Sequence, residues 1–213
     1  MKLISINVSR KVLCLYKSKT VTTGIFKKPT QESILVTKTN LEGDEQADLK
    51  HHGGTDMAVY AYSYDHFSRW EEQLGRNEIK YGSFGENLTV EGLQEQEIFI
   101  GDRFRLGNTI LEVSQPRIPC FKLNMALDND LAVKILTNSF NSGVYFRVIE
   151  EGYIEKGDIF HKIASHPNSI SIHSLFWALF DKGFSESQQI LQMASRLIPL
   201  SQVWKDKAAK RLA

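Results

Sequence analysis

Cysteine is scarce: the 213-residue chain has two, Cys14 and Cys120. Two thiols cannot supply the four thiolates of a typical iron–sulfur cluster or an all-cysteine zinc site, nor the disulfide framework of a small secreted scaffold. Long hydrophobic runs are also absent. No stretch approaches the roughly 18 consecutive apolar residues of a membrane span, and no charged start leads into an apolar secretory core, so the expected compartment is the cytoplasm and no membrane is expected as a partner. Neither GxGxxG nor GxxxxGK[ST] occurs, which argues against a Rossmann cofactor site and a P-loop. An excess of one charge is missing too: 26 basic residues face 25 acidic ones, so no global field attracts a nucleic acid polymer.

What is present has the balance of an ordinary globular protein, with 42% hydrophobic and 24% charged residues. Its length suits one substantial core with a small appendage. The charge is unevenly distributed. Residues 1–31 hold Lys2, Arg10, Lys11, Lys17, Lys19, Lys27 and Lys28 and no acid, a run resembling a transit peptide or a nucleic-acid arm. The alternation in Lys2–Ser9 instead predicts a half-buried strand, part of the folded body.

Short runs rich in Val, Ile, Phe and Tyr, separated by Gly, Asn and Asp, continue to about residue 160 and predict strands at Leu3–Val8, Ser33–Thr37, Ala58–Ser63, Arg103–Leu106, Thr109–Ser114 and Val144–Glu150. Gly107-Asn108 suits a tight hairpin between two of them. Helical spacing predicts Tyr64–Leu74 and Leu127–Asn138. Many strands with a few helices indicate a mainly β, α+β fold, a closed or nearly closed β-barrel rather than a doubly wound sheet. After Pro167 the period becomes helical. Ser171–Asp181 is followed by Gly183 as a stop, Ser185–Gln188 fits a capping box opening a second helix, and Ser201 caps a third over Gln202–Leu212. The expected organisation is a barrel domain at 1–163 and a three-helix extension at 166–213, the latter docking on the barrel or on a second subunit, which makes a homodimer reasonable.

Four segments carry candidate chemistry. In Val113–Leu123, Pro116 and Pro119 stiffen the loop that presents Cys120, while Arg117 and Lys122 favour thiolate over thiol, the form needed in a nucleophile or soft-metal ligand. Apolar neighbours also suit Cys120 to a buried packing role. In Asp48–Asp56, Gly53 and Gly54 allow close backbone approach to an anion, and Lys50, His51 and His52 add donors; a plain glycine turn fits the same residues. Adjacent histidines are a poor zinc pair, since ligating histidines on one short element are usually about three to five residues apart. Thr22–Pro29 is a basic loop around Lys27, or a solvated turn. In Gly82–Thr89, Asn87 offers both donor and acceptor to a heterocycle.

Together TGIFKKP (23–29), GDEQADLKHHGG (43–54), FGENLTV (84–90), IGDRFRLG (100–107), VSQPRIPCFKL (113–123) and GVYFRVIEEG (143–152) resemble the MOSC domain, in particular its stand-alone bacterial YiiM-like branch. The resemblance spans essentially the whole chain, its helical tail included. It implies a molybdopterin-type molybdenum cofactor with Cys120 as the metal ligand. By the same analogy Lys27, His52, Gly53, Asn87, Arg117 and Arg147 are candidates for cofactor contacts. Alternation alone equally suits Arg147 to an outward-facing charge. His51, His52 and Asp56 are candidates for proton relay, and Cys14 is expected in the core.

Relatives of this branch reduce N-hydroxylated compounds, purine and pyrimidine base analogues among them, to amines, a detoxification. Such a reaction here implies a small-molecule N-hydroxylated substrate and a separate electron-donating flavoprotein or reductase, because the chain has no flavin or nicotinamide fingerprint and too few cysteines for a cluster. The alternatives are a molybdenum-cofactor carrier or sulfur-transfer protein, and a metal-free anion-binding barrel. Pyridoxal phosphate is not expected, since 213 residues leave no room for a fused desulfurase.

Overall fold

The computed structural model describes residues 1–47 and 53–213. An eight-stranded sheet dominates it, in the order β12 (His161–Ala164), β8 (Arg103–Leu106), β9 (Thr109–Pro116), β10 (Val144–Glu150), β6 (Val59–Ser63), β7 (Leu88–Glu91), β1 (Lys2–Val8) and β4 (Lys28–Thr30). All neighbours in it are antiparallel except β6 and β7. The sheet curls into a half-barrel, and at one end the roll is joined. There the chain entering β12 reaches the start of β1, with Leu3 N–H donating to Asp158 O at 2.9 Å, Gly157 N–H to Leu3 O at 2.8 Å and Phe160 N–H to Met1 O at 3.0 Å.

Strand identity follows from local sequence. The predicted strands at 103–106 and 144–150 have the observed bounds, and the hairpin between β8 and β9 turns on Gly107 (φ 52°) and Asn108, closing on the Leu106 and Thr109 pair. β9 runs two residues further than its pattern suggested and is buried at all eight positions. One of its faces meets the barrel core. Helix α4 (Ile172–Phe180) and the chain around Ser201 also pack on β9, so it shows no polar face to water.

Two short sheets lie outside the main one: β2 (Val12–Tyr16) with β3 (Lys19–Thr23), both missed by the sequence pattern, and β5 (Ile34–Val36), inside the predicted strand at 33–37, with the unpredicted β11 (Gly152–Ile154). Cys14, on β2, is half-buried rather than in the core, its Sγ lying 3.7 Å from Met125 Sδ.

The helices show where tertiary contacts override local signals. The predicted helix at 64–74 is a 3₁₀ turn at Tyr64–His66 leading into α1 (Phe67–Leu74), which ends at left-handed Gly75 (φ 61°). The one expected at Leu127 starts at Ala132: α2 (Phe121–Ala126) is a separate short helix, and left-handed Asp128 (φ 44°) interrupts the chain before α3 (Ala132–Ser139). In the tail, Ser171 and Ser201 cap α4 and α6 (Gln202–Leu212), their hydroxyls accepting from the N–H groups of Ser174 and Trp204. The capping box at 185–188 does not form. Helix α5 (Ser187–Ala194) begins at Ser187 with Glu186 rather than Ser185 at its N-cap, where Phe184 stacks on Trp177 at 4.2 Å and the Phe184 carbonyl accepts from Ser187 N–H. Gly183 does not cap α4 either: the helix ends at Phe180, and Gly183 N–H donates to the Asp181 carboxylate at 2.8 Å.

One apolar cluster runs from the half-barrel into these helices, through Val113, Ile172, Phe176, Leu200 and Trp204. Trp204 is fully buried and its indole N–H donates to Pro116 O at 3.1 Å, tying α6 to the end of β9. Among the described residues no helix is long and apolar enough to cross a membrane. Trp204→Ala should lower the unfolding free energy by about 3–5 kcal/mol, as large aromatic truncations in cores do, whereas Leu15→Ser on the exposed face of β2 should change it by about 0.5 kcal/mol or less; urea unfolding measures both.

Candidate cofactor site

Past Pro116 the chain leaves β9 through Arg117, Ile118 and Pro119, and Cys120 follows in extended conformation (φ −131°, ψ 171°) immediately before α2. The stiff loop inferred from the two prolines thus places Cys120 in the lining of a small, open cleft of about 100 Å³. The lining comes from distant parts of the sequence: Thr23–Ile25 and Lys27, Asp44–Ala47, Met57, Tyr60, Gly85, Asn87, Arg117, Ile118, Cys120, Lys122 and Tyr145.

A buried polar knot shapes one wall. The Lys27 ammonium donates to both oxygens of the Asp44 carboxylate. Asp44 also accepts from Asn87 Nδ2 at 2.9 Å and from Ser9 N–H at 2.8 Å. Burial pushes the Lys27 ammonium below the usual lysine range, opposed by the charge of Asp44. Gly24 is required at this wall: a Cβ there would lie 2.2 Å from the carbonyl oxygen of Glu45.

A second wall is aromatic and cationic. The Arg117 guanidinium, only 6% exposed, lies 4.7 Å from the centre of the Tyr60 ring and donates to Phe84 O. Burial would lower its pKa, but the phenols of Tyr60 and Tyr145 and the Cys120 thiol raise it above the ordinary arginine value, so it is a permanent cation. Tyr145 packs on Tyr60 with ring centres 5.0 Å apart. Burial raises the pKa of both phenols.

The turn carrying Gly82 and Gly85 is held from inside by Glu86, fully buried, which accepts from Gly82 N–H at 2.6 Å, Phe84 N–H at 3.0 Å and the Thr89 hydroxyl at 2.9 Å. Burial raises its pKa against the pull of those donors.

The structure brings together Cys120, Arg117, Lys27 and Asn87 of the residues singled out in the sequence. Asn87 faces the cleft, yet its amide is engaged within the protein: Oδ1 accepts from Tyr60 N–H at 3.1 Å and Nδ2 donates to Asp44. Arg147 and Asp56 do not line the cleft. Arg147 donates to Asp56 Oδ1 at 2.7 Å, Glu112 Oε1 at 2.7 Å and Pro199 O at 2.8 Å, and these partners, rather than a ligand, occupy its guanidinium. Nor is Gly53 in the lining, although the next residue, Gly54, edges an adjoining hollow that shares Asp44, Glu45 and Gln46 with the cleft. His51 and His52 lie outside the described residues. Sequence reasoning missed Tyr60, Tyr145, Asp44 and Glu86. Alternation along β10 holds a signal for Tyr145, two positions before Arg147 and therefore on the same face.

With this geometry in place the chain can be compared with known proteins. The model of the MOSC domain matches residues 48–161, more than half of the sequence. The chain belongs to the MOSC domain family. This MOSC protein is 39% identical over 170 residues to the uncharacterized protein YflK of Bacillus subtilis, covering 79% of the chain and 76% of YflK. The crystal structure of YiiM from Geobacillus stearothermophilus superposes with a TM-score of 0.82 at 31% identity, covering 100% of this chain and 99% of that one, so the half-barrel with its helical tail is a YiiM-like fold. A protein named reductase in Gibberella moniliformis is 36% identical over 141 residues, which are 65% of this MOSC chain but only 25% of the fungal protein.

Two outcomes test the walls of the site. Asp44→Ala should cost about 3–5 kcal/mol in urea unfolding, because it leaves the buried Lys27 ammonium without its counter-charge. Glu86 binds its proton more tightly in the folded protein than in the unfolded chain, so its contribution is present below about pH 4.5 and is lost as the pH rises through its raised folded value. Stability measured between pH 4 and 7 should therefore decline with this group in the wild type, and Glu86→Gln should remove that component.

Proposed function

We propose that this MOSC protein holds a molybdenum cofactor through Cys120 and reduces N-hydroxylated compounds to the corresponding amines. The observation that carries the reading is the convergence of Cys120 and Arg117, from one stiff loop, on a single cleft with Lys27 and Lys122. The donor set fits such a group. Among the described residues no cluster of three or more His, Cys, Asp or Glu could hold a metal ion by protein atoms alone. A thiolate is the soft donor that suits molybdenum, and an organic cofactor can supply the metal's further ligands. Cations beside it suit a phosphate group. MOSC domains in general are associated with the molybdenum cofactor, and the fungal relative's name supports a reductase.

The chain's own residues supply position and electrostatics. Cys120 provides the sulfur, Arg117 a fixed positive charge, and Lys122 a second, more solvated one. Lys27 is neutralised by Asp44 and mainly fixes the wall. Ile25, Met57 and Ile118 add apolar surface that excludes water from the reacting atoms. When bound, the cofactor would supply a two-electron redox centre. Electrons must come from outside, because two cysteines form no cluster and the sequence has no flavin or nicotinamide fingerprint. A flavoprotein or reductase fits that role. The fungal protein, with three quarters of its length outside the match, has room for a donor within one chain.

Protein made in a host competent for the cofactor should carry molybdenum and pterin, measured by elemental analysis and pterin fluorescence, and should reduce N-hydroxylated adenine with dithionite as donor. Cys120→Ala should lose both metal and turnover. Bound molybdenum without turnover would favour a carrier, and absence of molybdenum from the wild type would overturn the assignment.

A further inference from the structure

Most polar groups around the cleft are already occupied. Lys27, Asp44 and Asn87 satisfy one another, the Tyr60 hydroxyl donates to Ser142 O at 2.9 Å, and Arg117 is bonded to Phe84 O. Glu45 accepts from Lys11 N–H at 2.9 Å, and Gln46 is spent on Met57 O and Gly54 N–H. Asp56, a candidate proton carrier by sequence, is held by Arg147 outside the lining.

Tyr145 differs. It lines the cleft, and its hydroxyl has no hydrogen-bond partner among the described residues. The ring is fixed: β10 is paired on both sides, to β9 and β6, and Tyr145 packs on Tyr60, which in turn carries Arg117. Cys120 lines the same cleft. A rigid O–H donor, without a hydrogen-bond partner among the described residues and lining the same cleft as the proposed metal ligand, is the kind of group that stabilises charge developing on a reacting atom.

We propose that the Tyr145 hydroxyl is the hydrogen-bond and proton donor to the oxygen of the substrate's N–O bond, an inference that rests on the function proposed above. The overall change is R–NH–OH + 2e⁻ + 2H⁺ → R–NH₂ + H₂O. The N–O bond breaks and an N–H bond forms, while the electrons come from the external reductant, a reduced flavoprotein or dithionite. One proton passes from the phenol to the departing oxygen, which leaves as water; the second, from solvent, goes to nitrogen, and solvent reprotonates the phenolate. The phenol can serve because it stays protonated through the neutral range, with burial raising its pKa above the usual value of 10. The hydroxide it protonates is a stronger base than a phenolate, so the transfer is downhill once the bond has broken.

Tyr145→Phe removes the hydroxyl and keeps the ring on Tyr60. Molybdenum and pterin content should equal the wild type's, while kcat for dithionite-driven reduction of N-hydroxylated adenine falls about 100-fold or more and KM changes far less. The alkaline limb of the wild-type pH profile should disappear. Calorimetry without reductant should show the wild type binding N-hydroxylated adenine up to about tenfold more tightly than adenine, the worth of one hydrogen bond, and the variant losing that preference. Wild-type kcat and pH profile in Tyr145→Phe overturn the proposal, and so does loss of molybdenum, which would make Tyr145 a cofactor-holding residue. A molybdenum-loaded wild type that neither binds nor reduces the compound overturns the function proposed above, and this step with it. A wild type that turns over alongside an unaffected variant removes Tyr145 alone.

Discussion

The Asp44 carboxylate is the fixed point on which the cleft depends. Three partners meet it from separate parts of the chain: both oxygens accept from Lys27, one from Ser9 N–H just past β1, and the other from the Asn87 amide just before β7. Asn87 passes the constraint on, accepting from Tyr60 N–H through its side chain while its backbone carbonyl accepts from Asn7 N–H at 2.7 Å. A buried charge satisfied on this scale is weak evidence for stability, because desolvation offsets much of the attraction. Its value is geometric. Any shift of the 23–27 loop, the 44–47 loop or the start of β7 leaves a charge or an amide unsatisfied inside the protein, so these segments hold one arrangement.

A second ionic knot performs the equivalent task for the tail. Arg147 joins Asp56, Glu112 and the carbonyl of Pro199, connecting β9, β10, the turn beyond Gly54 and the chain just before α6. Trp204 completes the attachment at Pro116, one residue before Arg117. The helical tail thus braces the strand whose end presents the Arg117–Cys120 loop, although none of its residues lines the cleft. This links packing to chemistry: a thiolate intended for a metal must be held in place by the elements behind it.

The division of charge in the cleft follows from the same packing. Lys27 is neutralised inside the wall, Arg117 is kept cationic by stacking on Tyr60, and Lys122 is the more solvated cation. The aromatic pair Tyr60 and Tyr145 differs by partner: the Tyr60 hydroxyl is bound to Ser142 O, while that of Tyr145, a residue lining the cleft, has no hydrogen-bond partner among the described residues. The absence of a second redox group in the chain's composition makes the proposed chemistry dependent on a donor, and the cleft's open mouth is where its product must also leave.

By itself the sequence determined the half-barrel's principal strands, the helical tail with its Ser201 cap, and the loop bearing Arg117 and Cys120, because period, capping chemistry and proline stiffness are local properties. Family motifs also marked Lys27 and Asn87. Only the tertiary structure decided what those residues do. Alternation put Arg147 and Tyr145 on one face without saying that Asp56 and Glu112 would claim the first and leave the second in the cleft. Asn87 read as a ligand contact until Asp44 and Tyr60 met its amide, and the capping box at 185–188 gave way to an N-cap at Glu186, where Phe184 stacks on Trp177. At Arg147 and Asn87 a partner more than about five residues away set the outcome, and the free energy of burying and satisfying such a contact exceeds the local preferences a sequence pattern records.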